Sequence, residues 1–337
     1  MNSTNLLTKS SLKCDILGQV EDELDNLKLP DKPASLFEPV KYALLSGGKR
    51  VRPFLTVLSC GMTGGCTSDA LTAAVAVELL HNFTLIHDDI MDNADLRRGK
   101  PTVHKKWDEA TAILAGDYLF AKSFDLINFY GDQSWVSKEQ FSLLHKYFLD
   151  GVKVVCEGQA KDMELEKSDN ALLDDYLSMI TCKTSALLGS ALQLGGVVAD
   201  CDKHSLKYLG SIGIEMGNAF QIQDDLLDIT GSSDTFGKKI GGDISERKKT
   251  YLSILAFKRA DEFQKRKLLR ILHSEQLDPS KLSEIINIYE NLDVIKDAKR
   301  AVKFHYESAV ELVDVFDESE YKSSFLSLLK KLLNRKS

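Results

Sequence analysis

Apolar residues recur along this chain with the three- and four-residue spacing of amphipathic helices, and its prolines mark where those helices can run. Five of the six prolines lie at or before Pro101, the sixth is Pro279, and residues 102–278 contain none. Because proline interrupts a helix interior, this distribution permits long helices through the centre of the chain. Strand signals are scarce, since Asp150-Gly151 is not flanked by alternating apolar and polar residues. The pattern predicts an all-α fold.

The apolar periodicity also gives approximate helix bounds. It predicts helices at about 4–28, 35–45, 49–60, 68–92, 108–129, 137–166, 170–198 and 203–230. A proline-rich link covers residues 29–34, residues 93–101 form a polar loop, residues 231–246 form a glycine-rich loop, and shorter helices fill residues 247–334. No internal linker interrupts this order. We therefore predict a single domain over residues 1–337, a bundle of long helices around a deep central cavity.

Charge and cysteine content exclude several classes of protein. The net charge of −7 and the pI near 5.6 argue against nucleic-acid binding, which requires a basic surface. The six cysteines include no CxxC pair and no Cys/His group at zinc-ligand spacing, so we read them as thiols of a reducing compartment. No signal peptide and no run of 18 apolar residues is apparent, which predicts a soluble, cytoplasmic protein without stable membrane insertion.

Two apolar helical runs each end in a group of three aspartates. The groups are Asp88, Asp89 and Asp92, and Asp224, Asp225 and Asp228. In each group two carboxylates are four residues apart, so they share one helix face and repel each other. Hard carboxylate oxygens suit Mg²⁺, whose coordination substrate phosphates complete. One such group alone is explained equally well as a helix end exposed to solvent. Two such groups are explained better by a Mg²⁺ site.

Basic residues lie near both acidic groups. They fall in four stretches, Gly47–Pro53, Arg97–Pro101, Lys183-Thr184 and Gly237–Asp243 with Arg247–Lys249. Each alone is explained about as well by a solvated basic turn or, for Lys183, by a side chain that reaches solvent. Together with the aspartates they predict a substrate that carries a diphosphate, and the apolar helices between them predict a pocket for hydrocarbon. This combination points to an isoprenoid substrate.

These motifs resemble those of the trans-isoprenyl diphosphate synthase family. Asp88–Asp92 with Arg97-Arg98-Gly99, and Asp224–Asp228, resemble its two aspartate-rich motifs. Its other blocks resemble, in chain order, Gly47–Pro53, Gly158-Gln159, Lys183-Thr184 and Gly237–Asp243. The resemblance covers roughly residues 35–260, whereas the first 30 and last 75 residues carry little signature. It implies the isoprenoid synthase fold, dependence on Mg²⁺ (about three ions per active site) and a homodimer.

The resemblance also assigns roles to individual residues. The metal site comprises Asp88, Asp92 and Asp224, supported by Asp89, Asp225 and Asp228. The allylic diphosphate is held by Arg97, Lys183 and Lys238, with Lys248 closing over it. Isopentenyl diphosphate is held by Lys49, Arg52, His81 and Arg98, and Thr184 and Gln221 line the reacting centre. Without the resemblance, His81 would read as a structural partner on a half-apolar helix.

The implied reaction condenses isopentenyl diphosphate with an allylic diphosphate. Phe83 lies five residues before Asp88, roughly 7.5 Å along a helix axis, and the small Thr84 lies four before it. One aromatic at the fifth position with a small residue at the fourth resembles geranylgeranyl-making enzymes of the archaeal kind. We therefore expect a C20 product, with farnesyl (C15) and longer polyprenyl diphosphates as alternatives.

Two other classes of protein share part of this pattern. A terpene cyclase also uses an aspartate-rich helix and Mg²⁺, but it needs neither a second diphosphate site nor a second DDxxD motif. A non-catalytic partner subunit of a synthase would be expected to lose carboxylates or lysines, and this chain keeps them. Diphosphate release separates the three, because a cyclase releases it without isopentenyl diphosphate and a partner subunit does not release it.

Overall fold

The computed structural model describes residues 4–231, 241–272, 274 and 278–333, and these residues are mostly helical. The α-helices are α1 Thr4–Asp25, α2 Ala34–Leu44, α3 Val51–Met62, α4 Leu71–Met91, α5 Val103–Lys106, α6 Glu109–Asn128, α7 Lys138–Lys167, α8 Leu173–Ile180, α9 Ala186–Val198, α10 Lys203–Thr230, α11 Gly242–Ser245, α12 Tyr251–Arg259, α13 Glu262–Leu272, α14 Pro279–Asn291, α15 Val294–Val313 and α16 Glu320–Leu333. The all-α prediction is confirmed.

The predicted helix bounds agree with the structure to within a few residues, with two differences. The predicted helix 170–198 contains a π-helical turn, Thr181–Ser185, between α8 and α9. The predicted polar loop 93–101 contains a short antiparallel hairpin, strands β1 (Leu96–Arg97) and β2 (Lys100–Pro101). Arg97 stands opposite Lys100 in this hairpin. Both features lie in the stretches that carry basic residues.

The described residues form two compact units. Unit 1 comprises the residues up to 152 together with 190–209 and 316–325, and unit 2 comprises 153–189, 210–315 and the described residues from 326 onward. Each unit has its own apolar core. The single domain inferred from the sequence stays a prediction.

The core of unit 1 is built around α4. Its residues from Ala73 to Leu80 are all buried, and α4 packs against α3 and α6. Helix α1 adds a stripe at four-residue spacing, Ile16, Val20 and Leu24, each no more than 9% exposed. Burial of such a stripe supplies roughly 1.5–3 kcal/mol per large aliphatic side chain. The first aspartate group is thereby attached to the central buried helix of this unit.

The core of unit 2 is formed by α8, α10 and the helices from α12 to α15. Ile222 and Leu226 of α10 are at most 2% exposed and join Leu252, Ile285 and Ala298 in one apolar cluster. Residues 222 and 226 are four apart, so α10 buries one face and carries Asp224, Asp225 and Asp228 along its last two turns.

One helical stretch among the described residues, Thr67–Met91, is long and apolar enough to cross a membrane by length and composition. Within it, 67% of the most apolar window is buried inside the protein. The central helix of a soluble fold has the same properties, and this stretch contains α4 of the unit 1 core.

Candidate active site

The first aspartate group lies at the C-terminal end of α4. The Asp88 carboxylate is 20% exposed, Asp92 is the exposed C-cap residue, and the Asp92 N–H donates to the Asp88 carbonyl oxygen at 2.9 Å. The C-terminal end of a helix carries partial negative charge, which disfavours carboxylates there unless a cation joins them. Asp88 and Asp92 therefore offer oxygen donors at a place where positive charge is favoured.

The third carboxylate of this group, Asp89, is buried and holds an arginine. Arg97 Nε and Nη2 each lie 2.7 Å from Asp89 Oδ1, and Nη2 lies 4.0 Å from Asp88 Oδ2. Burial raises the pKa of Asp89 above its usual value, and the Arg97 guanidinium acts in the opposite direction. The β1–β2 hairpin thus brings the Arg97 cation beside the aspartates, where Asp89 orients it.

A second cluster in unit 1 combines Arg52, His81 and Arg98. Arg52 Nη1 donates to His81 Nε2 at 3.1 Å, since a guanidinium has no acceptor, which places the His81 proton on Nδ1. Burial, reinforced by the nearby arginines, holds the pKa of His81 well below 6.5, so this imidazole is neutral at pH 7. Burial lowers the pKa of Arg52 to about 10, and Arg52 stays cationic.

This basic cluster has the features of an anion site. Among the described residues, buried Arg52 Nε has no hydrogen-bond partner, and an unmet donor of a charged group is costly. A Cβ on Gly48, whose φ is +152°, would lie 2.9 Å from Arg98 Nη1, so the arginine lies directly against this glycine. Lys49 is exposed beside them, just before the start of α3. Two arginines, a lysine and a helix start favour an anion at this place.

The second aspartate group, on α10, is largely engaged by protein donors. The Tyr176 hydroxyl and the Tyr251 N–H donate to Asp225 Oδ2 at 2.7 and 3.0 Å, and Gln221 Nε2 donates to Oδ1 at 3.3 Å. Burial raises the pKa of Asp225 to about 7, and these hydrogen bonds oppose the shift. Asp225 therefore holds Tyr176, Gln221 and the start of α12 together inside unit 2.

Asp228 has a similar internal role. Its two carboxylate oxygens accept from the backbone N–H groups of Gly242 and Asp243, each at 3.1 Å. Its carbonyl oxygen accepts from Gly241 at 2.8 Å. Asp224, the remaining member of the group, is half-buried. Residues 241–243, at the start of α11, are thus hydrogen-bonded to the end of α10.

The π-helical turn places Lys183 and Thr184 in unit 2. Lys183 Nζ donates to Asp162 Oδ2 of α7 at 2.5 Å, and the Thr184 hydroxyl donates to Gln221 Oε1 of α10 at 3.2 Å. Inside the turn, the hydroxyls of Thr181 and Ser185 both donate to Asn218 Oδ1. Single π turns inside helices commonly occur at functional sites. Here the turn links the Thr184 hydroxyl through Gln221 to Asp225, and it places the Lys183 cation against Asp162.

The proposed chain-length residues lie on the same helix as the first aspartates. The Phe83 ring lies 5.4 Å, centroid to centroid, from Phe120 of α6 and 4.7 Å from His87. The Thr84 hydroxyl donates to the His81 carbonyl oxygen at 2.8 Å, so it is turned onto its own helix. Phe83 and Phe120 together form an aromatic pair between α4 and α6.

Two further lysines, Lys248 and Lys238, were assigned to the allylic diphosphate from the sequence. Lys248 is half-exposed and lies 2.8 Å from Glu246 and 4.0 Å from Asp243. Lys238, like the adjacent Lys239, lies outside the described residues.

Several residues that organise the site were not singled out from the sequence. They are Arg50, Glu78, Asp162, Tyr176 and Asn218. A charged Glu78 within an apolar run was a visible signal, because a buried carboxylate needs a partner. The sequence gives no such signal for Tyr176 and Asn218, since their contacts lie 49 and 33 residues away along the chain.

The donor set fits Mg²⁺, the cation that the resemblance implies. Asp88 and Asp92 offer carboxylate oxygens, which suit a hard cation that one or two carboxylates and substrate phosphates hold together. Within the described ranges, no three His, Cys, Asp or Glu side chains form a ready-made metal site. A site that substrate oxygens complete is consistent with both observations.

Comparisons with known proteins bear on this arrangement. The "Polyprenyl synthetase" family model matches residues 33–289. The "Short chain isoprenyl diphosphate synthase" of Methanocaldococcus jannaschii is 43% identical, with 81% of each chain covered. The "Geranylgeranyl diphosphate synthase" of Saccharolobus solfataricus is 39% identical over 85% of this chain and 83% of its own. A geranylgeranyl pyrophosphate synthetase structure from Pyrococcus horikoshii superposes with a TM-score of 0.90 and 34% identity, covering 97% of this chain and 99% of that one. The chain belongs to the polyprenyl synthetase family.

Proposed function

We propose that this chain is a Mg²⁺-dependent prenyltransferase that condenses isopentenyl diphosphate with allylic diphosphates to a trans-prenyl diphosphate, geranylgeranyl diphosphate (C20). The observation that carries the proposal is the pair of complementary sites in unit 1. The carboxylates at the end of α4 favour binding of a cation, while the cluster of Arg52, His81 and Arg98 favours binding of an anion. A reaction between two diphosphate substrates satisfies both, because one can bind through Mg²⁺ and the other through basic side chains.

Each diphosphate has its own group of residues. Asp88 and Asp92, with Asp224, hold Mg²⁺, and they are supported by Asp89 within unit 1 and by Asp225 and Asp228 within unit 2. Arg97, Lys183 and Lys238 hold the allylic diphosphate, and Lys248 closes over it. Lys49, Arg52, His81 and Arg98 hold isopentenyl diphosphate. When bound, Mg²⁺ supplies positive charge to the leaving diphosphate; about three ions would serve one active site.

The residues support ionisation, condensation and elimination in that order. Arg97 and Lys183 stabilise the negative charge that develops as the allylic C–O bond breaks. The isopentenyl double bond then attacks the allylic cation, and loss of a proton gives a product five carbons longer. The Thr184 hydroxyl and Gln221, which are hydrogen-bonded to each other, line the reacting centre. The released diphosphate takes the proton.

The reaction can be tested with the purified full chain, isopentenyl diphosphate, Mg²⁺ and each of the C5, C10 and C15 allylic diphosphates. Chromatography of the dephosphorylated products should show a C20 alcohol from every primer. A stop at C15, or chains beyond C20, would keep the reaction and overturn the chain length. No product with any primer would contradict the proposal and favour a non-catalytic partner subunit.

Phe83 is proposed to limit chain length by closing the hydrocarbon pocket with Phe120. We expect Phe83→Ser to shift most of the product beyond C20, because an aromatic ring is replaced by a small side chain at the point reached by the growing chain. The measurement is product length from the C15 primer. Phe263→Ser, which alters an exposed phenylalanine of α13, should leave the C20 product unchanged. An unchanged product from Phe83→Ser would remove Phe83 as the limit.

We also propose a cytoplasmic homodimer. Helix α6 carries Ile113 and Leu114, which are 45% and 60% exposed in the single chain, and such neighbouring apolar side chains suit an interface between copies.

A further inference from the structure

We propose that helix α1 takes part in isopentenyl diphosphate binding by holding Arg50, a positioning residue for Lys49 and Arg52. The inference rests on the proposed function for the identity of the ligand. Its structural basis is a partly buried ion-pair system that links α1, α4 and the turn before α3. Helix α1 lies outside the residues 33–289 that match the family model.

The turn that carries the basic residues has an unusual backbone. Gly47 and Gly48 have φ angles of +81° and +152°, and Arg50 is left-handed with φ 44° and ψ 39°. Glycine adopts positive φ at little cost, but an arginine adopts it only where other contacts compensate. Arg50 is the N-cap residue of α3, and its carbonyl oxygen accepts from Phe54 N–H at 3.1 Å. The conformation of Arg50 therefore sets where α3 begins.

Three acceptors hold the Arg50 guanidinium. Nη1 donates to Glu78 Oε1 at 2.6 Å, Nε to Glu21 Oε1 at 2.9 Å, and Nη2 to the Leu44 carbonyl oxygen at 2.9 Å. Arg50 is 6% exposed and Glu78 is 2% exposed, so this pair is shielded from solvent. A planar guanidinium with partners on three of its edges has one available orientation. Arg50 is thus fixed inside unit 1 and is not directed to a ligand.

Fixing Arg50 determines where its neighbours lie. Lys49 precedes it and Arg52 follows two residues later, in the first turn of α3. Arg52 reaches His81 on α4, and Gly48 forms the surface against which Arg98 lies. A change in the turn would therefore shift the residues that surround the proposed anion.

Helix α1 supplies the one acceptor of this system that is exposed. Its buried stripe includes Val20, which adjoins Glu21 and is 0% exposed, so packing of α1 delivers Glu21 to Arg50. The Glu21 carboxylate is 48% exposed, and solvent screens its charge more than that of Glu78. Loss of Glu21 should loosen the turn without unfolding the unit.

The test compares Glu21→Gln with Glu23→Gln, which changes an exposed glutamate of the same helix. Calorimetric titration with isopentenyl diphosphate in EDTA measures the anion site separately from Mg²⁺. We expect Glu21→Gln to bind about three- to tenfold more weakly, with Glu23→Gln unchanged. Under turnover, KM for isopentenyl diphosphate should rise in parallel, while KM for the allylic substrate and kcat stay within about twofold.

A second variant, Arg50→Lys, keeps the charge but cannot reach all three acceptors together. It should weaken isopentenyl diphosphate binding more than Glu21→Gln does. Unchanged binding in both variants would overturn the inference, as would an equal rise in both KM values. Failure of the proposed function is distinct, because the wild-type chain would then form no product.

Discussion

Replacing Asp88 with asparagine is expected to lower kcat about 1000-fold while leaving the fold intact. Asparagine has nearly the same shape but lacks the negative charge that Mg²⁺ requires. The carboxylate also sits four residues from Asp92 at the negative end of α4. Removing one of two repelling charges there should leave the metal-free stability unchanged or raise it by a few tenths of a kcal/mol.

The Asp88→Asn variant is therefore expected to lose activity without losing stability. Product formation would be measured at several Mg²⁺ concentrations, and unfolding would be measured by denaturant titration. Asp95→Asn is the matched control, since Asp95 is 82% exposed and pairs with Lys105 at 3.1 Å; it should keep activity within about twofold. If Asp88→Asn retained more than about a tenth of wild-type activity, Asp88 would not be a metal ligand.

Gly158→Ala is expected to destabilise the protein by about 3 kcal/mol and to abolish most activity. A Cβ at this position of α7 would lie 2.2 Å from Lys183 N, 2.5 Å from Lys183 Cα and 2.6 Å from the Cys182 carbonyl carbon. All three are backbone atoms of the π-helical turn, so no side-chain rotation relieves the overlap. If the turn moves, Lys183 and Thr184 are displaced, and if α7 moves, the contact of Lys183 with Asp162 of α7 is disturbed.

A glycine elsewhere provides the control. A Cβ added to Gly18 in α1 would meet no atom within 4 Å beyond the neighbouring backbone of its own helix, and this glycine has no positive φ. Gly18→Ala should therefore stabilise the helix by about 0.5–1 kcal/mol. The free energy of unfolding from denaturant titration distinguishes these opposite signs. A Gly158→Ala protein as stable and active as the wild type would show that the close approach of α7 to the turn is not required.

Much of the fold and of the site follows from local patterns in the sequence. Apolar periodicity and proline positions predicted α4 and α10, and the aspartates at their ends followed from those bounds. Adjacent charges of both signs predicted diphosphate chemistry. Roles such as that of His81 came only from the family resemblance, because a lone histidine on a half-apolar helix has no distinctive spacing.

Other parts of the site depend on contacts between residues far apart in sequence. The π-helical turn has no local signature, since Thr181 and Ser185 are held by Asn218 on another helix. Likewise, only the folded chain shows that Asp225 accepts from Tyr176 and from the Tyr251 backbone. Periodicity reports which face of a helix is buried, but not which polar groups meet across that face.

The contact between Asp89 and Arg97 has an entropic consequence. A free arginine side chain has about 2 kcal/mol of rotamer entropy, and ordering it on binding would subtract that amount from the affinity. Arg97 is already fixed by a hydrogen bond from Nε to Asp89 Oδ1 and by an ion-pair contact of Nη2 with the same oxygen, so this loss occurs during folding. A diphosphate that binds Arg97 as proposed would therefore meet a preorganised donor. Asp89 would then influence affinity through the order that it imposes on Arg97, without itself touching the substrate.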